Sequence, residues 1–250
     1  MSASRPVAAA QTLPVRGDVT ANLAEHQRLI ETAAEQRVQL LLFPELSLTG
    51  YELDLAHDLA FSEQDSRLQS LRELAFARDM TVVVGVPVRL AERLHIGAFI
   101  IGADGSLDLY TKQRLGTFPP DVNPGGRVPP AEPSVFHAGD RNPLFCFDVH
   151  TAAIAICADI GNPAHAARAA ERGADCYLAS MFVIPVDFAA DNSRLETYSA
   201  RHQMSVVFSN YGGPSGGLPS AGQSAIWSAE GKLLARLDAA GSGIAVATLP

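Results

Sequence analysis

Residues Ala153–Ser180 read AIAICADIGNPAHAARAAERGADCYLAS. A run of small and β-branched apolar residues ends on Cys157, and a polar turn, Asp159 to Pro163, follows. An alanine- and arginine-rich stretch then closes at Gly173, before a second apolar run opens at Cys176. The two short apolar runs have the length of strands buried on both faces. The segment between them reads as a helix from Pro163 that stops at Gly173. Strand, helix, strand in this order calls for a layered α/β fold, and it leaves one thiol at the seam of strand and helix.

The same alternation extends outward in both directions. RPVAAAQT (5–12) and VQLLLFPE (38–45) read as buried strands, the second stopped by Pro44. Between them, GDVTANLAEHQRLIETAAEQR (17–37) carries capping residues Asp18, Thr20 and Asn22, with Leu23, Ile30, Ala33 and Ala34 at helical spacing. Leu68, Leu71, Leu74 and Ala75 mark a further helix, and TVVVGVPV (81–88) a further strand. LHIGAFII and SLDLYTKQ form a hairpin around GADG (102–105). SVFHAGD (134–140), the run from Asn142 to Asp159, CYLASMFV (176–183) and VVFSNYGG (206–213) read as strands, as do GQSAIWS, KLLARLD and SGIAVATLP near the end. Phe188, Leu195 and Tyr198 are the inward face of a helix in 187–205. Residues 113–133 hold six prolines and three glycines, the composition of a long functional loop.

Composition narrows the class. The 250 residues are 47% hydrophobic and 18% charged, which fits one globular domain over 1–250. A net charge of −8 with no basic block argues against a nucleic-acid or anionic-membrane surface. No apolar run reaches the roughly 18 residues of a membrane span. The N-terminal stretch lacks a signal-peptide core, and three cysteines fit a reduced, cytoplasmic protein. Cys146 and Cys176 lie inside apolar runs and read as core filler. The seven histidines show no metal-ligand spacing, so no metal or cofactor is expected.

Three polar residues stand at the ends of apolar strands: Glu45 after LLLFPE, Lys112 after SLDLYTK, and Cys157 after TAAIAIC. Each alone is ordinary. Together, at strand ends that open into a crevice, they fit nucleophilic acyl transfer. Cys157 would be the nucleophile, favoured as thiolate by the N-terminus of the helix that follows. Glu45 would take the thiol proton and later activate water. Lys112 and the backbone N–H of Ala158 would hold the negative oxygen of a tetrahedral intermediate. Asp159 and Asn162 are expected to fix the turn after Cys157 by side-chain to backbone hydrogen bonds.

With these residues in place, the chain resembles the nitrilase, or carbon–nitrogen hydrolase, superfamily. The resemblance rests on FPELSLTGY (43–51), YTK (110–112), ICADIGNP (156–163) and GAD (173–175), and spans nearly the whole chain. GDVTANL, EPSVFHAG, Ser209-Asn210 and GQSAIWSAEGKLL match in the expected order. It implies a four-layer αββα sandwich: two mixed β-sheets packed face to face, helices outside, paired into homodimers or larger homo-oligomers. It also implies a Glu-Lys-Cys triad that hydrolyses non-peptide C–N bonds with neither metal nor organic cofactor. Glu132 matches a second glutamate that helps place the lysine and the substrate. The expected activity is an amidase acting with water on a small linear amide through a Cys thioester, releasing ammonia. Nitrile or N-carbamoyl amide hydrolysis by the same triad is an alternative, as is a member that binds without turnover or feeds ammonia to a partner. The sequence departs from the family where a more common Arg-Phe pair is replaced by Gly161 and Asn162, which alters the border of the acyl pocket. Tyr51, Asn162, His165 and Phe182 are candidate pocket walls, and the proline-rich loop a candidate for shaping access.

Overall fold

The computed structural model describes residues 5–250. It is an α/β fold built on a curled, mixed sheet. The first half runs β1 (Val7–Thr12), α1 (Val19–Glu35), β2 (Leu40–Leu42), a short helix α2 (Ala56–Leu59), α3 (Gln69–Ala77), and then β3 (Thr81–Leu90), β4 (Arg93–Ile101) and β5 (Leu107–Thr111). β1, β2 and β3 are parallel, joined by helical crossovers, and β3, β4 and β5 form an antiparallel meander. The second half runs β6 (Phe145–Phe147), β7 (His150–Ile156), α4 (Pro163–Glu171), β8 (Cys176–Ser180), α5 (Pro185–His202), β9 (Ser205–Tyr211), β10 (Ala225–Trp227) and β11 (Leu233–Arg236). Here β7, β8 and β9 are parallel, again with a helix between successive strands. The last strand, β12 (Gly243–Ala247), returns to the first half and lies antiparallel to β1. The halves meet where β1 pairs with β9, at Gln11–Asn210 and Thr12–Tyr211.

The pleat explains how these strands are buried on two faces. Successive side chains of a strand point to opposite sides. Val7 and Ala9 of β1, with Leu40 and Leu42 of β2, enter a cluster that also holds Ile154, Leu178 and Val207 from the second half. Ala8, Ala10 and Leu41 enter a separate cluster with Leu29, Ile30 and Ala33 of α1 and Leu71 and Ala75 of α3. Ala153, Ala155, Tyr177 and Phe208 enter a third, with Ala166 and Ala169 of α4 and Leu195 and Tyr198 of α5.

The helical faces differ in detail from the sequence reading. Asp18 caps α1, accepting from Ala21 N at 2.9 Å. Leu23 and Ala34 are only half-buried, whereas Asn22 and His26 are fully inside. Both are satisfied locally. Asn22 Nδ2 donates to Val15 O and Leu48 O, and the His26 ring bonds Asn22 O and Ser47 Oγ while stacking on Phe43. Polar groups can therefore occupy a core-facing stripe where a turn offers them partners. Two further expectations are corrected. Ser134–Asp140 is not a strand: it leaves a single 3₁₀ turn (Glu132–Ser134) and runs beside β4 and β5 through bonds such as His137 N to Leu94 O and Gly139 N to Lys112 O. Cys146 is not core filler but exposed, because β6 lies at the sheet's outer edge, while Cys176 is buried as expected.

Candidate active site

Glu45 sits in a turn just beyond β2. Leu46 takes a positive φ of 52°, and Ser47 N and Thr49 N close the turn onto Pro44 O and Leu46 O. Tyr211, at the end of β9, donates its hydroxyl to Glu45 O. Beneath the turn passes Gly85 of β3: its N–H donates to Ser47 Oγ at 3.2 Å, and its carbonyl accepts from Leu48 N at 3.1 Å. Lys112 follows β5 directly, with its N–H on Ile96 O. Cys157 follows β7 and opens a 3₁₀ turn, Cys157–Gly161, with a φ of 43°. A non-glycine residue in this left-handed region is strained and marks a sharp change of chain direction.

Asp159 ties the cysteine turn to the lysine loop. Its Oδ1 accepts from Gln113 N (3.1 Å) and Arg114 N (2.7 Å), and its Oδ2 from Ile156 N (3.0 Å) and the Tyr110 hydroxyl (2.7 Å). Asn162 caps α4 by accepting from Ala164 N at 3.2 Å. α4 begins at Pro163, as read from sequence, and Cys157 precedes it on the 3₁₀ turn.

The three strand-end residues come together. Lys112 Nζ lies 2.6 Å from Glu45 Oε1 and 2.7 Å from Glu132 Oε1, and all three side chains are excluded from solvent. Glu132 also accepts from the Tyr51 hydroxyl and from Gly116 N, each at 2.6 Å. Glu45 Oε2 is buried without a partner among the described residues, and the Cys157 thiol acts to lower the pKa of this carboxyl. The Cys157 sulfur lies 3.7 Å from Phe182 O.

Burial dominates the electrostatics. It pushes the Glu45 carboxyl up to about 7, and Lys112 pulls back only part of that rise. Burial also works against the Lys112 ammonium, but Glu45 and Glu132 outweigh it and hold the lysine proton above its ordinary range. The Cys157 thiol is pushed well up by burial and by Glu45, with Lys112 opposing. At rest the site therefore holds an ammonium and a neutral thiol, beside a carboxyl poised near neutrality. One buried cation between two carboxylates is a stable arrangement only while all three are present.

A cavity of about 240 Å³ opens at this cluster. Cys157, Ala158 and Glu132 line it, together with Tyr51, Phe182 and Val183, the loop residues Gly116 to Pro119, and Asp187 and Asp191 of α5. Tyr51, Phe118 and Phe182 form an aromatic wall, with ring centroids 4.9–5.9 Å apart. Of the four walls expected from sequence, Tyr51 and Phe182 are there. Asn162 and His165 are not: Asn162 is the helix cap, and the His165 ring is buried between the Tyr110 and Tyr177 hydroxyls at 3.0 and 2.8 Å.

Sequence reasoning missed Phe118, Val183, Asp187 and Asp191, which had no motif to mark them. It also missed how the proline-rich loop is held. The loop is closed at its neck by Glu132 N on Gly116 O, at 3.1 Å. At its tip, Arg127 pairs with Glu52 and Asp54, which Arg16 also engages. The glycine-rich 212–217 stretch joins the same latch, with Gly216 N donating to Glu52 Oε1 and Ser215 Oγ accepting from Tyr51 N, both at 2.8 Å.

The family model described as Carbon-nitrogen hydrolase matches residues 6–250, and the chain belongs to that family. Solved structures of an amidase from Nesterenkonia sp. AN1, of the nitrilase superfamily, share the fold. A cysteine-to-serine mutant of it superposes with a TM-score of 0.86 at 24% identity, over 100% of this chain and 93% of the other. A second mutant, with the acetamide moiety of fluoroacetamide added covalently at its active-site cysteine, gives 0.86 at 25% identity over 100% and 92%. A third, in complex with butyramide, gives 0.86 at 24% over 99% and 92%.

Proposed function

We propose that this chain is an amidase that hydrolyses a small linear amide through a thioester on Cys157. One observation carries the reading: a solvent-excluded Lys112 held between Glu45 and Glu132, with Glu45 Oε2 unpartnered beside a strained cysteine in a small cavity. Glu45 Oε2 takes the thiol proton as sulfur attacks the amide carbon, and Lys112 Nζ with Ala158 N–H stabilise the oxyanion. The C–N bond breaks as Glu45 returns the proton to nitrogen, and ammonia leaves. Water, deprotonated by Glu45, then attacks the thioester; the acid departs and the thiol regains its proton. Glu132 holds Lys112 in place throughout, and Tyr51, a neutral donor whose phenol burial pushes well up, holds Glu132. The amide-derived adduct and the butyramide complex of the Nesterenkonia amidase support the substrate class.

The three apolar clusters, one between the sheet halves and one under each helical layer, support a single four-layer αββα domain. Assembly into homodimers or larger homo-oligomers is part of the same proposal, checked by sedimentation. The activity test is ammonia release from acetamide, propionamide and butyramide, with intact-mass detection of an acyl adduct. Cys157→Ala abolishes release and leaves the fold intact; Glu45→Gln and Lys112→Ala each lower the rate by roughly two orders of magnitude or more. Turnover by the Cys157→Ala protein, or neither ammonia nor adduct from any amide with the native protein, overturns the reading.

A further inference from the structure

His165, Tyr110 and Tyr177 take no part in the proposed reaction, yet they are buried in one hydrogen-bonded row that ends on Asp159. None of the three lines the cavity at Cys157. They come from three elements. Tyr110 lies on β5, two residues before Lys112; His165 is in the first turn of α4; Tyr177 is on β8. Asp159 stands two residues after Cys157, in the same 3₁₀ turn.

The row has a fixed polarity. Asp159 already accepts from Gln113 N, Arg114 N and Ile156 N. A carboxylate only accepts, so its fourth bond, 2.7 Å to Tyr110, turns the phenol proton toward Asp159. The Tyr110 oxygen has then given its only proton and can accept from His165 but not donate to it. Their contact at 3.0 Å puts an imidazole proton on Nε2. A neutral ring leaves Nδ1 bare, and the Tyr177 hydroxyl donates to it at 2.8 Å. Burial favours the neutral form of each member: it lowers His165, against the Asp159 charge, and pushes both phenols well above their ordinary range. Every proton in the row thus points toward Asp159.

The groups that Asp159 holds belong to the reacting residues. Gln113 and Arg114 directly follow Lys112, and Ile156 directly precedes Cys157. One carboxylate therefore sets the strand end of the nucleophile against that of the ammonium. We propose that His165 is a positioning residue: by donating to Tyr110 it keeps the Tyr110 hydroxyl on Asp159, and so fixes the spacing of Cys157 and Lys112. Resting on the amidase reading for its effect on turnover, this assigns a role to a residue outside the substrate cavity. In the other tautomer Nε2 would accept from Tyr110, and Asp159 would lose a donor. The Tyr177 hydroxyl, by occupying Nδ1, selects against that tautomer.

The test compares three variants with butyramide as substrate. His165→Phe keeps neither donor nor acceptor, His165→Gln keeps one of each on its amide, and Tyr177→Phe removes a single hydroxyl. His165→Phe is expected to lower kcat roughly tenfold and Tyr177→Phe about threefold, with KM within about twofold of native, since the reacting groups shift and the cavity does not. His165→Gln should recover most of the loss. A native kcat in His165→Phe, a change confined to KM, or no recovery in His165→Gln overturns the proposal. If His165→Phe does not fold, Tyr177→Phe decides: a native kcat overturns it and a lowered one supports it. Nitrogen-15 NMR of the native protein reads the ring itself, with a neutral imidazole protonated on Nε2 expected; a proton on Nδ1 overturns the proposal. If no amide is hydrolysed the amidase reading fails, and the rate at which iodoacetamide alkylates Cys157, followed by peptide mass, replaces kcat. Slowing in His165→Phe with recovery in His165→Gln then supports the positioning role, and equal rates overturn it.

Discussion

Cys157 combines three properties that conflict in isolation: a left-handed backbone, a thiol that burial keeps protonated, and access to a cavity. The conflict is resolved by its neighbour. A carboxyl pushed up to about 7 is a weak base that becomes competent as the pH passes neutrality, and in the proposed mechanism it receives the thiol proton. Below that pH Glu45 is protonated and cannot accept; above it, it can. Alkylation of Cys157 by iodoacetamide should therefore rise with pH along a limb near 7, an apparent value that belongs to the coupled cluster. Glu45→Gln should erase that limb and leave reactivity that appears only at alkaline pH. A variant that keeps the neutral limb would show that another base serves the thiol. At this scale the sequence was informative for Glu45, Lys112 and Cys157, because each interrupts an apolar run at its end. It was uninformative for Asp187 and Asp191, which look like any acids in the first turns of an amphipathic helix.

Among the elements, β3 shows how a strand serves the site without contributing a functional side chain. A Cβ on Gly85 would lie 2.5 Å from Pro44 O and 2.9 Å from Glu45 C, and would also collide with Leu46 N. These are backbone atoms of the turn that carries Glu45, so the strand must present hydrogen there. Gly85→Ala should push the turn away from Lys112, lowering kcat at least about tenfold and costing about 1–3 kcal/mol of stability by overpacking. Thermal melting and steady-state kinetics measure both; a variant with native melting and turnover would mean that the turn is free to shift. Nothing in TVVVGVPV announces this contact, since a glycine in a strand run is equally a bulge or a weak point. Element types were legible where apolar periodicity was long, as in α1 and β3–β5. They were misread at 134–140, where Val135 and Phe136 gave a strand-like run but the chain makes only scattered bonds beside β4 and β5. Helix faces were misread where polar side chains met partners from distant turns, as Asn22 and His26 do.

For the molecule as a whole, the site is assembled across the junction of two halves. Glu45 and Lys112 follow strands of the first, Cys157 a strand of the second, and the shared cluster between them contains Ile154, Leu178 and Val207 as well as Val7 and Leu40. The stability of the whole molecule has a pH dependence with an identifiable source in His26. Burial lowers this ring from 6.5 to about 4, with Asn22 O opposing. A histidine whose folded pKa lies below its unfolded value contributes stability that is present above about 6.5 and lost as the pH falls toward 4. The shift corresponds to about 3 kcal/mol. Urea unfolding across this window should show a steeper acid loss for the native protein than for His26→Gln; equal slopes would assign the loss to other groups.

The return of β12 to β1 bears on how the molecule is made. On a ribosome, Val7–Gln11 emerge more than two hundred positions before the residues that border them, 243–247. Until those residues are made, β1 keeps one flank of unpaired amide and carbonyl groups, the kind of margin on which foreign chains nucleate. Guarding that flank falls to whatever receives the nascent chain, and the fold closes only when its opening strand meets residues translated near the other end of this sequence.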